Sequence, residues 1–200
     1  MPEPRVAAVV LAAGASSRMG RNKLLLDVGG ETLVRRAVRA AAGGGVDEVV
    51  VVLGHDEARV RAELDGLPCV AVLNPDHAEG AGTSVRTGVR HVQGDADALV
   101  VVLADMPFVT AEMIATLVER YRATRAPLVV SHYGDVQAPP TLYDRALFAE
   151  LLQIPGERCA KQVVRRHEQE AAVVDWPAAA LRDIDVPADY EDVRAGLPRD

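Results

Sequence analysis

The sequence predicts a three-layer α/β/α sandwich built on a Rossmann-like, mostly parallel sheet. Three observations carry this. Short valine-rich runs alternate with amphipathic stretches of helical period. The runs are apolar throughout rather than alternating, as strands buried on both faces require. Small residues and glycine follow directly after the first run, where an open α/β sheet places its ligands.

Taken in order, Val6–Leu11 is the first expected strand and Thr32–Ala42 a helix that keeps Arg35, Arg36 and Arg39 off its apolar face. Gly43-Gly44-Gly45 stops that helix. Glu48–Leu53 is a second strand, Glu57–Leu64 a short helix and Cys69–Leu73 a third strand. A glycine-rich approach leads to a helix at Ser84–His91, and Ala98–Leu103 is the most apolar strand. Thr110 caps a helix to about Tyr121, with Glu112 placed to favour the helix dipole, and Leu128–His132 is a further strand. Pro139-Pro140 breaks the pattern, and residues 133–182 are expected as a smaller subregion across the mouth of the sheet. The 200 residues suit one domain, with a nucleotide-binding half at 1–110 and an acceptor-binding half at 111–200.

Composition narrows the partners. A net charge of −7 argues against a nucleic-acid surface, which needs a basic face. One nucleotide needs only a local cluster, and Arg18, Arg21 and Lys23 form one. Aromatics make up 4% of the chain, so the core is built from Val, Leu and Ala. The two cysteines, Cys69 and Cys159, form no CxxC pair, which gives no support to a zinc or redox motif. No signal peptide is read at the start, and no apolar run nears the ~20 residues of a membrane span. The expectation is a soluble, cytoplasmic protein with neither nucleic-acid nor membrane partner.

Four unusual segments fall at strand ends: Ala12–Lys23, Asn74–Ser84, Asp105-Met106-Pro107 and Asp183-Ile184-Asp185. In the first, Leu11, Ala12, Ala13 and Gly14 let backbone approach a phosphate, and Arg18 and Lys23 supply positive charge. It is neither a Walker loop nor GxGxxG. Asp105 is the prime candidate for magnesium, which takes one or two carboxylates with phosphate oxygens and water. Asp185 or Asp183 is the candidate second carboxylate. Asn74, Gly82 and Ser84 are candidate base or ribose contacts. His55, His77, His91, His132 and His167 lack metal-ligand spacing, and no Gly-x-Ser-x-Gly elbow marks a serine hydrolase.

These residues resemble a family. Leu11–Lys23 (LAAGASSRMGRNK) and Leu103–Pro107 (LADMP) resemble the signature and metal motif of the MobA-like nucleotidyltransferases. Leu73–Val89 and Asp183–Tyr190 resemble the molybdenum-cofactor cytidylyltransferase (MocA-like) branch. The resemblance implies a fold of the nucleotide-diphospho-sugar transferase type, CTP, magnesium, and transfer of CMP to molybdopterin with release of pyrophosphate. Lys23 and Asp105 match the family's nucleotide and metal positions. Ala12-Ala13, where guanylyltransferases typically have Ala-Gly or Gly-Gly, favours cytidine. The chain departs from the family at Gln137–Tyr143, where Gly-His-Pro or Gly-Asn-Pro is usual, and at Gly156–Lys161, in the region expected to contact the acceptor. Four functions stay open: cytidylyl transfer; guanylyl transfer, or nucleotidyl transfer to another phosphorylated small molecule; NAD(P)H-dependent reduction like that of nicotine blue; and a non-catalytic maturation factor for a molybdenum hydroxylase.

Overall fold

A computed structural model describes residues 3–16, 19–156, 160–182, 184 and 188–191. Among the described residues seven strands form one sheet: β1 (Val6–Ala12), β2 (Glu48–Leu53), β3 (Val70–Leu73), β4 (Ala98–Leu103), β5 (Leu128–Tyr133), β6 (Val136–Asp144) and β7 (Ala171–Trp176). Their order across the sheet is β3-β2-β1-β4-β6-β5-β7. All run parallel except β6, which is antiparallel to both neighbours.

Strand alternation sorts the core into two layers. Val6, Ala8 and Val10 face α1 (Leu33–Gly43), α2 (Glu57–Ala62) and α4 (Ala111–Thr124). Ala7 and Val9 face α3 (Ala81–Val92), α5 (Phe148–Leu151) and α6 (Lys161–Arg166). This is the expected three-layer sandwich. α3 packs so closely on β1 that a Cβ at Gly88 would lie 2.3 Å from Val9 Cγ1. Thr110 caps α4, its hydroxyl accepting from the Met113 N–H at 3.3 Å.

Residues 133–182 differ from expectation. Instead of a subregion lying across the sheet mouth, they supply two of its strands. Pro139-Pro140 lies inside β6, where the register against β5 shifts between Val129 and Ser131. Proline has no N–H for the ladder, and the prolines' carbonyls here accept from side-chain hydroxyls of β5. The Ser131 hydroxyl donates to the Pro140 carbonyl at 2.7 Å and the Tyr133 hydroxyl to the Pro139 carbonyl at 2.9 Å. β7 completes the edge through parallel pairing of Leu128 to Tyr133 with Ala171 to Trp176. The segment 81–83, read as loop, is the first turn of α3.

A third apolar cluster ties the chain's tail to the rim. Ile184 and Tyr190 pack with Met19, Leu26, Val28 and Leu33. The Ile184 N–H donates to the Asp105 carbonyl at 3.2 Å, and the Tyr190 hydroxyl donates to the Asp27 carbonyl at 2.8 Å. On the opposite face, His167 fastens α6 to α5, with Nε2 2.8 Å from Glu150 Oε1. That contact raises the His167 pKa and lowers that of Glu150.

Two outcomes follow from this packing. Gly88→Ala should destabilise the domain by about 1–3 kcal/mol, read as a lower urea midpoint, because the methyl meets Val9. The Glu150–His167 pair should stabilise most between the unfolded pKa values of 4.5 and 6.5. Its contribution, about 0.5 kcal/mol for so exposed a pair, is lost as pH rises through the raised His167 pKa. It is lost again as pH falls through the lowered Glu150 pKa. Urea titrations of His167→Gln at pH 5.5 and about 8.5 should show a smaller pH difference than wild type.

Candidate functional site

The chain's path fixes where a site can form. From β1 it moves outward through β2 to β3, and α3 then carries it back to β4 on the other side of β1. The carboxyl ends of β1 and β4 therefore flank a topological switch point, where open α/β sheets bind ligands. A cleft of about 400 Å³ lies there, lined by Leu11, Ala13, Gly14, Lys23, Ser84 and Asp105 among others.

The loop after β1 is shaped by Ser16, which takes a left-handed φ of 50°. Its carbonyl accepts from Met19 N–H at 2.9 Å and its hydroxyl from Lys23 N–H at 3.1 Å. Asn22 then caps a 3-10 turn at Lys23–Leu25, its side chain accepting from Leu24 N–H at 3.1 Å. These bonds aim Lys23 across the cleft. Its Nζ lies 2.7 Å from Asp105 Oδ2, with the two side chains 12% and 23% exposed. The loop carrying Asp105 is held in turn: Ala104 N–H donates to the Leu11 carbonyl at 3.2 Å, and Arg36 Nε donates to the Pro107 carbonyl at 2.8 Å.

The opposite wall is the N-terminal end of α3, through Gly80, Ala81 and Ser84. A helix of 12 residues brings a partial positive charge to this end. The wall is braced by Asn74, which is 1% exposed. Its Nδ2 donates to Thr83 Oγ1 at 2.7 Å and to Ser84 Oγ at 3.0 Å, while its Oδ1 accepts from Asp76 N–H at 3.1 Å. Gly82 N–H donates to the Gly156 carbonyl at 3.0 Å. A Cβ at Gly156 would lie 2.7 Å from the Glu79 carbonyl oxygen, so glycine lets these turns meet.

Of the expected site residues, Leu11, Ala13, Gly14, Lys23, Ser84 and Asp105 line the cleft. Ala12, Asn74 and Gly82 are buried behind it. Asn74 spends its amide on the wall, so its place is support rather than a face turned to ligand. Arg18, Asp183 and Asp185 lie outside the described residues. Among the described residues no three His, Cys, Asp or Glu side chains cluster as a metal-binding group. Asp105 still fits a magnesium ion, which draws most of its shell from phosphate and water. Sequence reasoning missed His77 as a lining residue. Its loop can approach because Gly54 has no side chain: a Cβ there would lie 2.6 Å from His77 Cβ and 2.7 Å from Ala13 Cβ. That contact between three loops has no local signal in the sequence.

A second pocket of about 280 Å³ adjoins the first and shares Leu11, Ala81 and Leu103 with it. It lies between the sheet and α6, and β6 supplies Gln137, Pro139, Thr141 and Tyr143 to its wall.

A mostly parallel α/β sheet with a cation–carboxylate pair at its switch point is an open α/β domain with a polar ligand cleft where such sheets bind their ligands. Comparison with known proteins takes this further: the MobA-like NTP transferase domain matches residues 8–171, and the chain belongs to that family. It is 30% identical to the purine catabolism protein PucB of Bacillus subtilis (strain 168) over 209 residues, 98% of this chain and 100% of that protein. It is 34% identical over 145 residues to nicotine blue oxidoreductase of Paenarthrobacter nicotinovorans, covering 70% of this chain and 67% of that one. Matches to bifunctional GlmU proteins, such as that of Corynebacterium diphtheriae at 30% identity, span only 38% of the relative's length. Among solved structures, Rv0371c of Mycobacterium tuberculosis H37Rv superimposes with a TM-score of 0.83 at 26% identity, covering 96% of this chain and 100% of that one. A structure of the same protein is described as a complex with manganese, at a TM-score of 0.79. No helix among the described residues is long and apolar enough to cross a membrane.

Asn74→Ala should leave the Thr83 and Ser84 hydroxyls short of a donor and loosen the start of α3. A loss of about 2–3 kcal/mol is expected for these buried bonds, read by chemical denaturation. Ser84→Ala, which removes one acceptor at the edge of the cleft, should cost less.

Proposed function

We propose that this protein transfers CMP from CTP to a phosphate of molybdopterin, releasing pyrophosphate. The observation that carries the reading is the Lys23–Asp105 pair, 2.7 Å apart at the switch point and facing the larger cleft. A triphosphate needs a cation for its oxygens and a carboxylate for its counter-ion, and the pair presents both within one ion-pair distance.

In this reading Asp105 would hold magnesium, with Asp185 the second carboxylate expected from its place after the last apolar run, and the ion would supply charge neutralisation at the triphosphate. Lys23 bears on the oxygens of the leaving pyrophosphate, with Arg18 the second cation expected from the sequence, and the N-terminal end of α3 adds its partial positive charge. An oxygen of the acceptor's phosphate forms a bond to the α-phosphorus while the bond from that phosphorus to the bridging oxygen breaks. The electron pair leaves with pyrophosphate. The protein's contribution is positioning and charge neutralisation, with no covalent protein intermediate. Ala13, lining the cleft beside Leu11 and Gly14, supports the preference for cytidine. Guanylyl transfer would reverse that preference.

The resemblance to nicotine blue oxidoreductase supports a second reading, reduction of a flat pigment by NAD(P)H. It predicts NADPH oxidation without pyrophosphate release.

Asp105→Asn should lower pyrophosphate release from CTP and molybdopterin by about 100-fold or more with an unchanged melting temperature. CTP with magnesium should protect the wild type against thermal unfolding more than GTP, ATP or UTP does. Undiminished turnover in the variant would falsify the assignment of Asp105.

A further inference from the structure

The acceptor side contains polar groups that the nucleotide chemistry leaves unused. β6 runs antiparallel to β4, with Val101 opposite Thr141 and Leu99 opposite Tyr143. Its first residues therefore reach the rim where the parallel strands end, and Gln137, Pro139 and Thr141 enter the wall of the second pocket there. Three hydroxyl-bearing side chains surround the prolines of β6. Those of Ser131 and Tyr133 are committed to the Pro140 and Pro139 carbonyls. Thr141 differs: it is 5% exposed, lines the pocket, and its hydroxyl makes no hydrogen bond to any described residue. Its hydroxyl is therefore left for whatever the pocket holds.

The rest of the wall narrows what that partner is. Val85, Val101, Leu103 and Val164 make it apolar, and no carboxylate is among its described lining residues. A polyhydroxylated acceptor would set several hydroxyls against these side chains with nothing to bond, at a high desolvation cost. A flat fused ring buries its faces there and needs partners only at its edge. Gln137 offers one donor and one acceptor in a single plane, the complement of a ring edge carrying a carbonyl beside an N–H. Thr141 offers a hydroxyl deeper in the wall. Lys161, the one charged residue of the described lining, stands on α6 where the acceptor's phosphate can reach it.

We propose that Thr141 and Gln137 are the specificity-determining residues for the acceptor, reading the edge of a planar fused heteroaromatic ring in the second pocket. The inference rests on the nucleotidyl-transfer reading for the identity of the reaction, but its binding step stands by itself. Both residues lie in the segment where the chain departs from the pattern of the family it resembles, so their placement is a property of this chain.

The test uses 6-hydroxymethylpterin as probe, followed by quenching of its fluorescence, with glucosamine 1-phosphate as the polyhydroxylated competitor. Wild type should bind the pterin and be unaffected by the sugar phosphate. Thr141→Val and Gln137→Ala should each weaken pterin binding about five- to tenfold, the size expected for one lost hydrogen bond. Thr141→Ser should restore it, which a purely packing role would not do. Protection by CTP should be the same in all four proteins. The inference is overturned if wild type does not bind the pterin, if the sugar phosphate displaces it, or if Thr141→Val and Gln137→Ala bind it as wild type does. Such results with CTP-dependent pyrophosphate release intact leave the nucleotidyl reading standing. The expected pterin pattern without CTP protection or transfer supports this inference and removes that reading.

Discussion

Everything at the rim depends on the immobility of β1. The strand is paired in parallel on both sides, to β2 and to β4, and is buried against helices on both faces. Its backbone groups and side chains have no alternative partners, so its carboxyl end is a fixed point. The loop that follows can be short of regular structure without being loosely placed. Ser16 and Asn22 need to organise only a few residues to carry Lys23 from that point to Asp105. A pair held at 2.7 Å from the ends of neighbouring strands inherits the rigidity of the sheet.

Around this pair the polar work is divided. Residues that touch the cleft are few, and those that hold it are buried. Asn74 satisfies two hydroxyls and one amide from behind the wall. Gly54 and Gly156 act by omission, since a methyl at either would push apart loops that must touch. Such support is costly to disturb, because a buried hydrogen-bonding group that loses its partner forfeits more than the bond was worth. The cleft therefore rests on residues that never face it.

The sequence made much of this legible, for identifiable reasons. β1, β2 and β4 are buried on both faces, and a strand so placed must be apolar along its whole length. Its limits show as changes of composition. Asp105 stood out because a charge just beyond such a run sits at the rim by geometry, and Lys23 because it closes the small-residue, basic loop that follows β1. β6 stayed hidden because Pro139-Pro140 reads as a break. Only the tertiary placement of Ser131 and Tyr133 shows how a strand accommodates it. β7 stayed hidden because AAVVDW at a sheet edge is only partly buried and lacks the continuous apolar pattern. Asn74 was legible as a special residue, though not in its direction: a polar side chain at a strand end looks the same whether it meets a ligand or a neighbouring turn. His77 depends on a three-loop contact that no local pattern encodes.

The reversed direction of β6 has a consequence for how such a protein can diverge. The walls common to the two pockets are Leu11, Ala81 and Leu103, all apolar, so no described hydrogen-bonding side chain is shared between them. Changes at the start of β6 alter what the second pocket accepts without altering the charges that face the first. Selection can then exchange one half of a two-substrate reaction while the other half stays constant. A hairpin strand threaded backwards into a parallel sheet thus behaves as an interchangeable part, and gives one scaffold many acceptors at little cost to its common chemistry.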